Sequence, residues 1–458
     1  MKNLTLEHIA QACGGQYVGS EEDRCREVKD ITTDSRKAGE GSLFVAIVGE
    51  RVDAHRFIPS VYEQGALCVL CEKAPEQAAG AYILVDSTLQ AIKEIAEFYR
   101  QQLNVKVVGI TGSVGKTSTK EIIASVLSEK YRVLKTLGNF NNELGVPLTI
   151  FRLREEDEVA VLEMGINHFG EMHRLAKMAR PDLCVITNIG QCHLEFLGDR
   201  DGVLRAKSEI FDFIAPDGKI ILNGDDDKLS QLISVKGISP RFFGIETERE
   251  IRAEQIESVG LKGVKCRIFV GEESFEVIIP IPGYHMVLNA LAATAVGISM
   301  GMTLEEIRRG IEKLQSLAGR FHILEADGVT VVDDCYNANP VSMKASLGVL
   351  EQALGRKVAI LGDMAELGDR EKEFHEEVGR YAGGLDIQLC ICVGRLSRYL
   401  AEAAKSMGSG MEIREFDTLE EALEKIPGLI RTGDSVLVKA SHSMHFEKIV
   451  DVLTQSKK

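Results

Sequence analysis

An α/β protein of more than one domain is predicted, on three observations. The chain has 458 residues; its middle alternates buried-looking strands with helices; and one strand–helix junction carries a glycine-rich turn ending in lysine. Single hydrophobic cores stop growing at about 250–300 residues, so two or three domains are expected. The pattern divides the chain into three stretches. Residues 1–85 read as a small mixed α/β N-terminal domain, 86–318 as a central phosphate-loop-type domain on a parallel sheet, and 319–458 as a second α/β domain.

The first stretch opens with a helix over 5–13 and continues in short strands such as 42–49 and 81–86. A helix from Ser87 to about Leu103 places Leu89, Ile92, Ile95, Ala96, Tyr99 and Leu103 at helical spacing, and its start sets the first boundary. From 104 the pattern changes. Strand 105–110 leads through the glycine-rich turn to a helix over 118–130, strand 158–165 to a helix over 168–179, and strand 183–190 to a helix over 200–214, with a further strand at 219–224. Strands apolar almost throughout need cover on both faces, the condition of a parallel sheet between helices. The stretch 251–281 alternates instead (CRIFVGEESFEVII), which predicts antiparallel strands at one edge. Helices over 287–300 and 304–314 close this domain. Strands at 329–336, 357–363, 387–394 and 435–441 mark the second alternation.

Composition narrows the function. A net charge of −15 argues against broad nucleic-acid binding, which needs a basic face. No segment approaches the ~20 apolar residues of a membrane span. Glu7 and His8 stand where a signal peptide would be apolar, so a cytoplasmic protein is expected. Ten cysteines include one CxxC, Cys68 and Cys71, inside a strand-like run that turns them to opposite faces. Cys390 and Cys392 share a face but lack a second chelating pair, so buried reduced thiols are expected.

The sharpest local signal is TGSVGKTS, 111–118, between a buried strand and a helix. Helix-terminal N–H groups form an anion site, and Gly112 and Gly115 let the main chain approach a phosphate, with Ser113 and Ser118 completing the loop. Lys116 reaches the β- and γ-phosphates and the Thr117 hydroxyl a Mg²⁺ ion. The spacing, GxxGKT, is shorter by two residues than the usual GxxxxGK[ST]. A GTPase would show NKxD for guanine, which is absent, and the next strand ends in Glu163 rather than the Asp of a plain NTPase. A phosphate-loop protein that only senses nucleotide stays open as an alternative.

The loop, the strand end LEMG, TNIGQCHLEFLG (187–198), RAKSEIF (205–211), LNALAA (288–293), AGR (318–320) and DDCYNANPVSMKASL (333–347) resemble, in this order, the motifs of Mur ligases, relatives of the folylpolyglutamate synthetases. The resemblance spans nearly the whole chain. It implies an N-terminal domain for the UDP end of the substrate, a central ATPase and a Rossmann-like C-terminal domain receiving the amino donor. The implied reaction is ADP-forming amide ligation through an acyl phosphate, with two Mg²⁺ ions. Within the family, YNANP (336–340) and LGDMAELG (361–368), with no DNPR signature, resemble the enzymes that add D-alanyl-D-alanine to UDP-N-acetylmuramoyl-tripeptide. Another family amide ligase with a different amino donor is the alternative. A monomer is expected. Three motifs depart from the family: PGYHM (282–286) has Tyr284 and Met286 where Arg and Asn are frequent, ASH (440–442) stands for a GSR-type motif, and DAH (53–55) for DGH.

Glu163 and His193 each follow a central strand, where parallel sheets bind ligands. The resemblance makes them metal holders with Thr117, and His193 rests on it more than on its own chemistry, since it also reads as a polar loop residue. On its own residues Lys207 reads as a solvated lysine of helix 200–214. The resemblance implies instead that it takes up CO₂ as a carbamate and serves the second Mg²⁺. It further implies Asn289 on the adenine side, Arg320 as a hinge arginine reaching the phosphates, and Asp334 at the ribose. Asn289 reads equally as a core amide. Ser35 and Arg36 resemble the uridine-diphosphate end of the site, and Asn139, Asn142, Asn167 and His168 are candidates beside the muramoyl-peptide.

Overall fold

The structure, a computed structural model, describes residues 1–49, 52–76 and 79–455. Three sheets organise it. A five-stranded sheet near the N-terminus runs in the order Gln16–Val18, Ala81–Leu84, Cys68–Cys71, Ser42–Val45 and Asp30–Thr32, with only Gln16–Val18 antiparallel to its neighbour. The central sheet has nine strands, with Lys106–Thr111 flanked by Val159–Glu163 and Leu183–Ile186. Its far edge is antiparallel, formed by Ile251–Ser258, Val264–Val270 and Glu273–Ile279, in the stretch where the sequence alternates. The C-terminal sheet has six strands in the order His322–Ala326, Val329–Asp333, Asp434–Lys439, Arg356–Gly362, Leu389–Val393 and Glu412–Phe416. All are parallel except His322–Ala326. This is the three-domain α/β architecture that the sequence predicts.

Several elements differ in extent. The loop helix runs Lys116–Leu127, starting two residues early because Gly115 takes φ 84° and caps it. The helix predicted over 168–179 begins at Glu171, after Gly170. The one predicted over 200–214 ends at Ser208 and tightens into a 3₁₀ turn, Glu209–Phe211. His322–Ala326 and Glu412–Phe416 lack the continuous apolar run of a central strand because each is a sheet edge, half-buried to exposed.

The loop helix packs one face on the strands and the other on helices His285–Ser299 and Leu304–Glu312. Helix Thr88–Gln101 joins the first two domains. Ile92, Ile95 and Tyr99 lie in one continuous core with Leu6, Ile9 and Ile83 on one side and Leu162 and Leu175 on the other. Tyr99 is fully buried and its hydroxyl donates to the Leu153 carbonyl at 2.7 Å. Arg154 also donates to that oxygen, so Tyr99→Phe removes one bond without orphaning its acceptor. The expected cost is about 1 kcal/mol. Urea denaturation checks it as a lower midpoint at unchanged slope.

The cysteines are all free thiols. Cys68 lies in the core shared with the central domain and Cys71 in the cluster on the opposite face of its sheet. Cys390 and Cys392 are buried, their sulfurs 3.7 Å apart. Among the described residues no helix is long and apolar enough to cross a membrane.

Candidate active site

A cleft of about 1030 Å³ lies over the carboxyl ends of the central strands. Its walls come from the central and C-terminal parts of the chain: Leu89 and Lys93 of the joining helix, the 113–119 loop, and Asp334, Tyr336 and Lys439 of the C-terminal domain.

The loop is held by its neighbour strand. Ser113 and Val114 donate their N–H groups to the carbonyl and the side-chain oxygen of Asn188, both at 3.0 Å. Ser113 Oγ accepts from Gly190 N at 2.8 Å. Gly112 takes φ 153°, and a Cβ there would lie 1.9 Å from Thr187 Oγ1. The first helical turn, from Lys116, leaves N–H groups without intrahelical acceptors, turned to the cleft. Lys116 curls back to donate to the Gly112 carbonyl at 2.9 Å. Burial holds its pKa below the ordinary lysine value, against the pull of Glu163. Gly112→Ala should therefore weaken nucleotide binding at least about tenfold, from the forbidden contact and the strained φ. Calorimetric nucleotide titration beside an unchanged circular dichroism spectrum checks it.

Glu163 ends its strand 2% exposed. Its Oε1 accepts from Asn141 Nδ2 at 2.8 Å and Thr117 Oγ1 at 3.2 Å. Its Oε2 has no donor, and Lys120 Nζ stands 3.7 Å away. Buried carboxylate oxygens are rarely left orphaned, and a hard cation beside the Thr117 hydroxyl would satisfy this one. His193 is half-buried in a left-handed conformation, φ 51°. Burial, then the charges of Lys207 and Lys116, push its pKa down to about 4, which leaves a neutral imidazole at neutral pH.

Lys207 overturns its own sequence reading. It is 1% exposed rather than solvated, because Gly202, Val203, Ala206 and Lys207 form the buried face of helix Arg200–Ser208. Among the described residues it has neither an ion-pair nor a hydrogen-bond partner. Burial, reinforced by the charge of Lys116, lowers its pKa to about 7.

The nucleotide-side candidates converge on the cleft. Asn289 is buried; its Oδ1 accepts from Thr119 Oγ1 at 2.9 Å and its amide faces Met286 Sδ at 3.3 Å, so it is a tethered amide that also lines the cavity. Arg320 reaches Thr117 Oγ1 at 3.4 Å and stacks over the Tyr336 ring at 4.1 Å. Asp334 accepts from Lys439 Nζ and Ser346 Oγ, each at 2.6 Å. Its neighbour Asp333 faces the other way and accepts from Gly319 N at 2.7 Å, so the adjacent carboxylates do not confront each other.

The substrate-side candidates are less gathered. Asn139, Asn142 and Asn167 line the cleft, while Ser35, Arg36 and His168 do not. Asn142 Oδ1 caps the helix Gly145–Ile150 by accepting from Leu144 N and Gly145 N. Arg36 is exposed and paired with Asp34. His168 pairs with Glu171 and packs against Phe196. The departures fall differently: Met286 is buried against Asn289, Tyr284 is half-exposed outside the cleft, and His442 stacks on Tyr336 at 5.3 Å.

Sequence reasoning missed Lys120, Asn141, Tyr336, Glu366 and Lys439. Two carried a usable signal. Lys120 lies one helical turn after Lys116 and so on the same face. Lys439 ends a buried parallel strand, as Glu163 does.

Three family models match: "Mur ligase family, catalytic domain" over residues 27–106, "Mur ligase middle domain" over 110–297, and "Mur ligase, glutamate ligase domain" over 319–442. The UDP-N-acetylmuramoyl-tripeptide–D-alanyl-D-alanine ligase of Bacillus subtilis is 36% identical, covering 100% of this chain and 99% of its own. That of Escherichia coli is 35% identical, with 100% and 99% covered. The crystal structure of MurF from Acinetobacter baumannii superposes with a TM-score of 0.88 at 36% identity, with 98% of each chain covered. MurF from Thermotoga maritima in complex with ADP gives 0.82 at 29% identity, covering 93% of this chain and 97% of that one. Motif order, three-sheet architecture and full-length likeness agree, and the chain belongs to the Mur ligase family.

Proposed function

We propose that this protein joins D-alanyl-D-alanine to UDP-N-acetylmuramoyl-tripeptide, converting ATP to ADP and phosphate, in the cytoplasmic synthesis of peptidoglycan precursors. The observation that carries the chemistry is the cleft itself. A phosphate loop, a buried carboxylate with an orphan oxygen, and Lys116 and Arg320, without carboxylate partners among the described residues, face one volume between the central and C-terminal domains. Unneutralised cations in a desolvated cleft suit a reaction that brings phosphates and a carboxylate together. The choice of substrates is supported by full-length likeness to relatives of that name.

In this reading Lys116 and the loop N–H groups hold the β- and γ-phosphates. Thr117, Glu163 and His193 would hold Mg²⁺, which would neutralise phosphate charge when bound. Lys207, buried and partly uncharged at neutral pH, has the free amine that CO₂ requires, and its carbamate would supply an anion for a second Mg²⁺. Arg320 meets the phosphates from the C-terminal side, and Asp334, held by Lys439, faces the ribose. Residues 1–85 hold the UDP end through Ser35 and Arg36, 86–318 bind ATP, and 319–458 receive the dipeptide. Asn139, Asn142, Asn167 and His168 border the muramoyl-peptide.

Phosphate release from ATP tests the reading. Release that requires both UDP-muramoyl-tripeptide and D-alanyl-D-alanine supports it. Release with another amine in place of the dipeptide makes the protein a ligase of different donor, and release without either makes it a simple nucleotidase.

A further inference from the structure

We propose that Glu366 is the anchor for the ammonium group of the incoming amine donor. This rests on the ligase reading above and gives the donor side of the cleft a named contact. Lys93, Lys116, Arg320 and Lys439 bring positive charge to the cleft for its anionic substrates, and a donor whose amine arrives as an ammonium needs a negative partner there. A carboxylate must receive that charge, and the carboxylates lining the cleft are six. Five are committed. Glu143 pairs with Lys93 and Arg174. Glu163 accepts from Asn141 and Thr117 through Oε1, and its orphan Oε2 is buried with Lys120 Nζ 3.7 Å away. Glu171 accepts from Asn167 N and faces His168, and Asp226 accepts from three backbone N–H groups. Asp334 is held by Lys439.

Glu366 is the sixth. Among the described residues no donor lies within hydrogen-bond distance of its side chain, and its nearest basic neighbour is His193 Nδ1 at 3.8 Å. Its side chain is 76% exposed, so an entering donor reaches it without displacing protein. It reaches from the C-terminal domain toward His193 of the central domain and lines the same cleft as the phosphate loop. The backbone is in a left-handed conformation there: Glu366 takes φ 61°, which non-glycine residues adopt uncommonly. The segment is also pinned. Met364 N donates to the buried His375 Nε2 at 3.0 Å, and Ala365 N donates to Ser441 Oγ at 2.8 Å. A carboxylate with no hydrogen-bond donor among the described residues, on a pinned loop lining the cleft, fits an ammonium, and the charge-assisted hydrogen bond gives it strength.

Glu366→Gln tests this, being isosteric and too exposed to threaten folding. It is assayed with whichever amine supports phosphate release in the unaltered enzyme. The expected result is a KM for the amine raised at least about tenfold, with KM for ATP and for UDP-muramoyl-tripeptide unchanged. D-lactoyl-D-alanine, with a hydroxyl in place of the ammonium, supplies the second readout if D-alanyl-D-alanine is the donor. The unaltered enzyme should bind it far more weakly than the dipeptide, and the variant should bind the two alike. An unchanged amine KM in Glu366→Gln overturns the inference while the ligase reading stands. Failure of the unaltered enzyme to use D-alanyl-D-alanine overturns the donor assignment instead. If no amine supports phosphate release, the ligase reading falls and the anchor with it.

Discussion

Lys207→Ala should lower turnover by about 10³-fold or more while leaving the fold intact, a loss typical of removing one electrostatic group from a preorganised site. The lysine is buried without a partner and close enough to Lys116 for the two charges to oppose one another. As an ammonium it would repel a nearby dication by several kcal/mol at ~4 Å, even at an effective dielectric of ~20. As a carbamate it would instead be a second buried anion alongside Glu163, of the sign a dication requires. Three readouts follow. Acetate should restore part of the rate in Lys207→Ala by occupying the vacated space, and Lys207→Arg should stay inactive, since it keeps the wrong charge. Isotopically labelled bicarbonate should give a carbamate resonance in the unaltered protein that Lys207→Ala lacks. Full activity in Lys207→Ala would remove the lysine from the mechanism, and retained activity in Lys207→Arg would make it a direct phosphate contact.

Lys116→Ala should be as damaging. In the structure its ammonium donates only to the Gly112 carbonyl, a bond that a phosphate oxygen readily replaces. Truncation removes the charge from the position where the transferred phosphoryl group develops its own, so kcat should fall about 10³-fold. The helix is capped by Gly115 rather than by this side chain, so thermal unfolding should barely move. A purified variant with near-normal turnover would show that the loop is not the phosphate site.

The glycine-rich strand–helix turn was legible because its signal is local: strand, glycines, lysine and threonine lie within twelve consecutive positions, 106–117. Burial was not legible in the same way. Lys207 and a solvated lysine look alike in one dimension, and only the packing of helix Arg200–Ser208 decides between them. Adjacent asparagines posed a similar problem. Asn142 caps a helix while Asn141 reaches Glu163, and which one turns inward depends on backbone angles that composition does not carry. Asp334 was found but its partner was not, because Lys439 lies 105 residues away and meets it only through strand pairing in the C-terminal sheet. The antiparallel edge His322–Ala326 escaped for a further reason: an edge strand is half-solvated and gives no continuous apolar run.

Asp333 bears on how the cation at residue 320 is delivered. Gly319 donates to Asp333 Oδ2, Tyr336 N donates to the Gly319 carbonyl at 3.1 Å, and Phe321 N donates to Asp334 Oδ1 at 3.2 Å. These three bonds lash the connector to the end of strand Val329–Asp333, so Arg320, which precedes every strand of the C-terminal sheet, travels with that sheet as cargo. Any pivot between the two domains must then fall before Gly319, in the five residues 314–318 that follow helix Leu304–Glu312 and its cap Lys313. A swing of the C-terminal sheet about that connector would carry the guanidinium to or from Thr117 as a rigid arm.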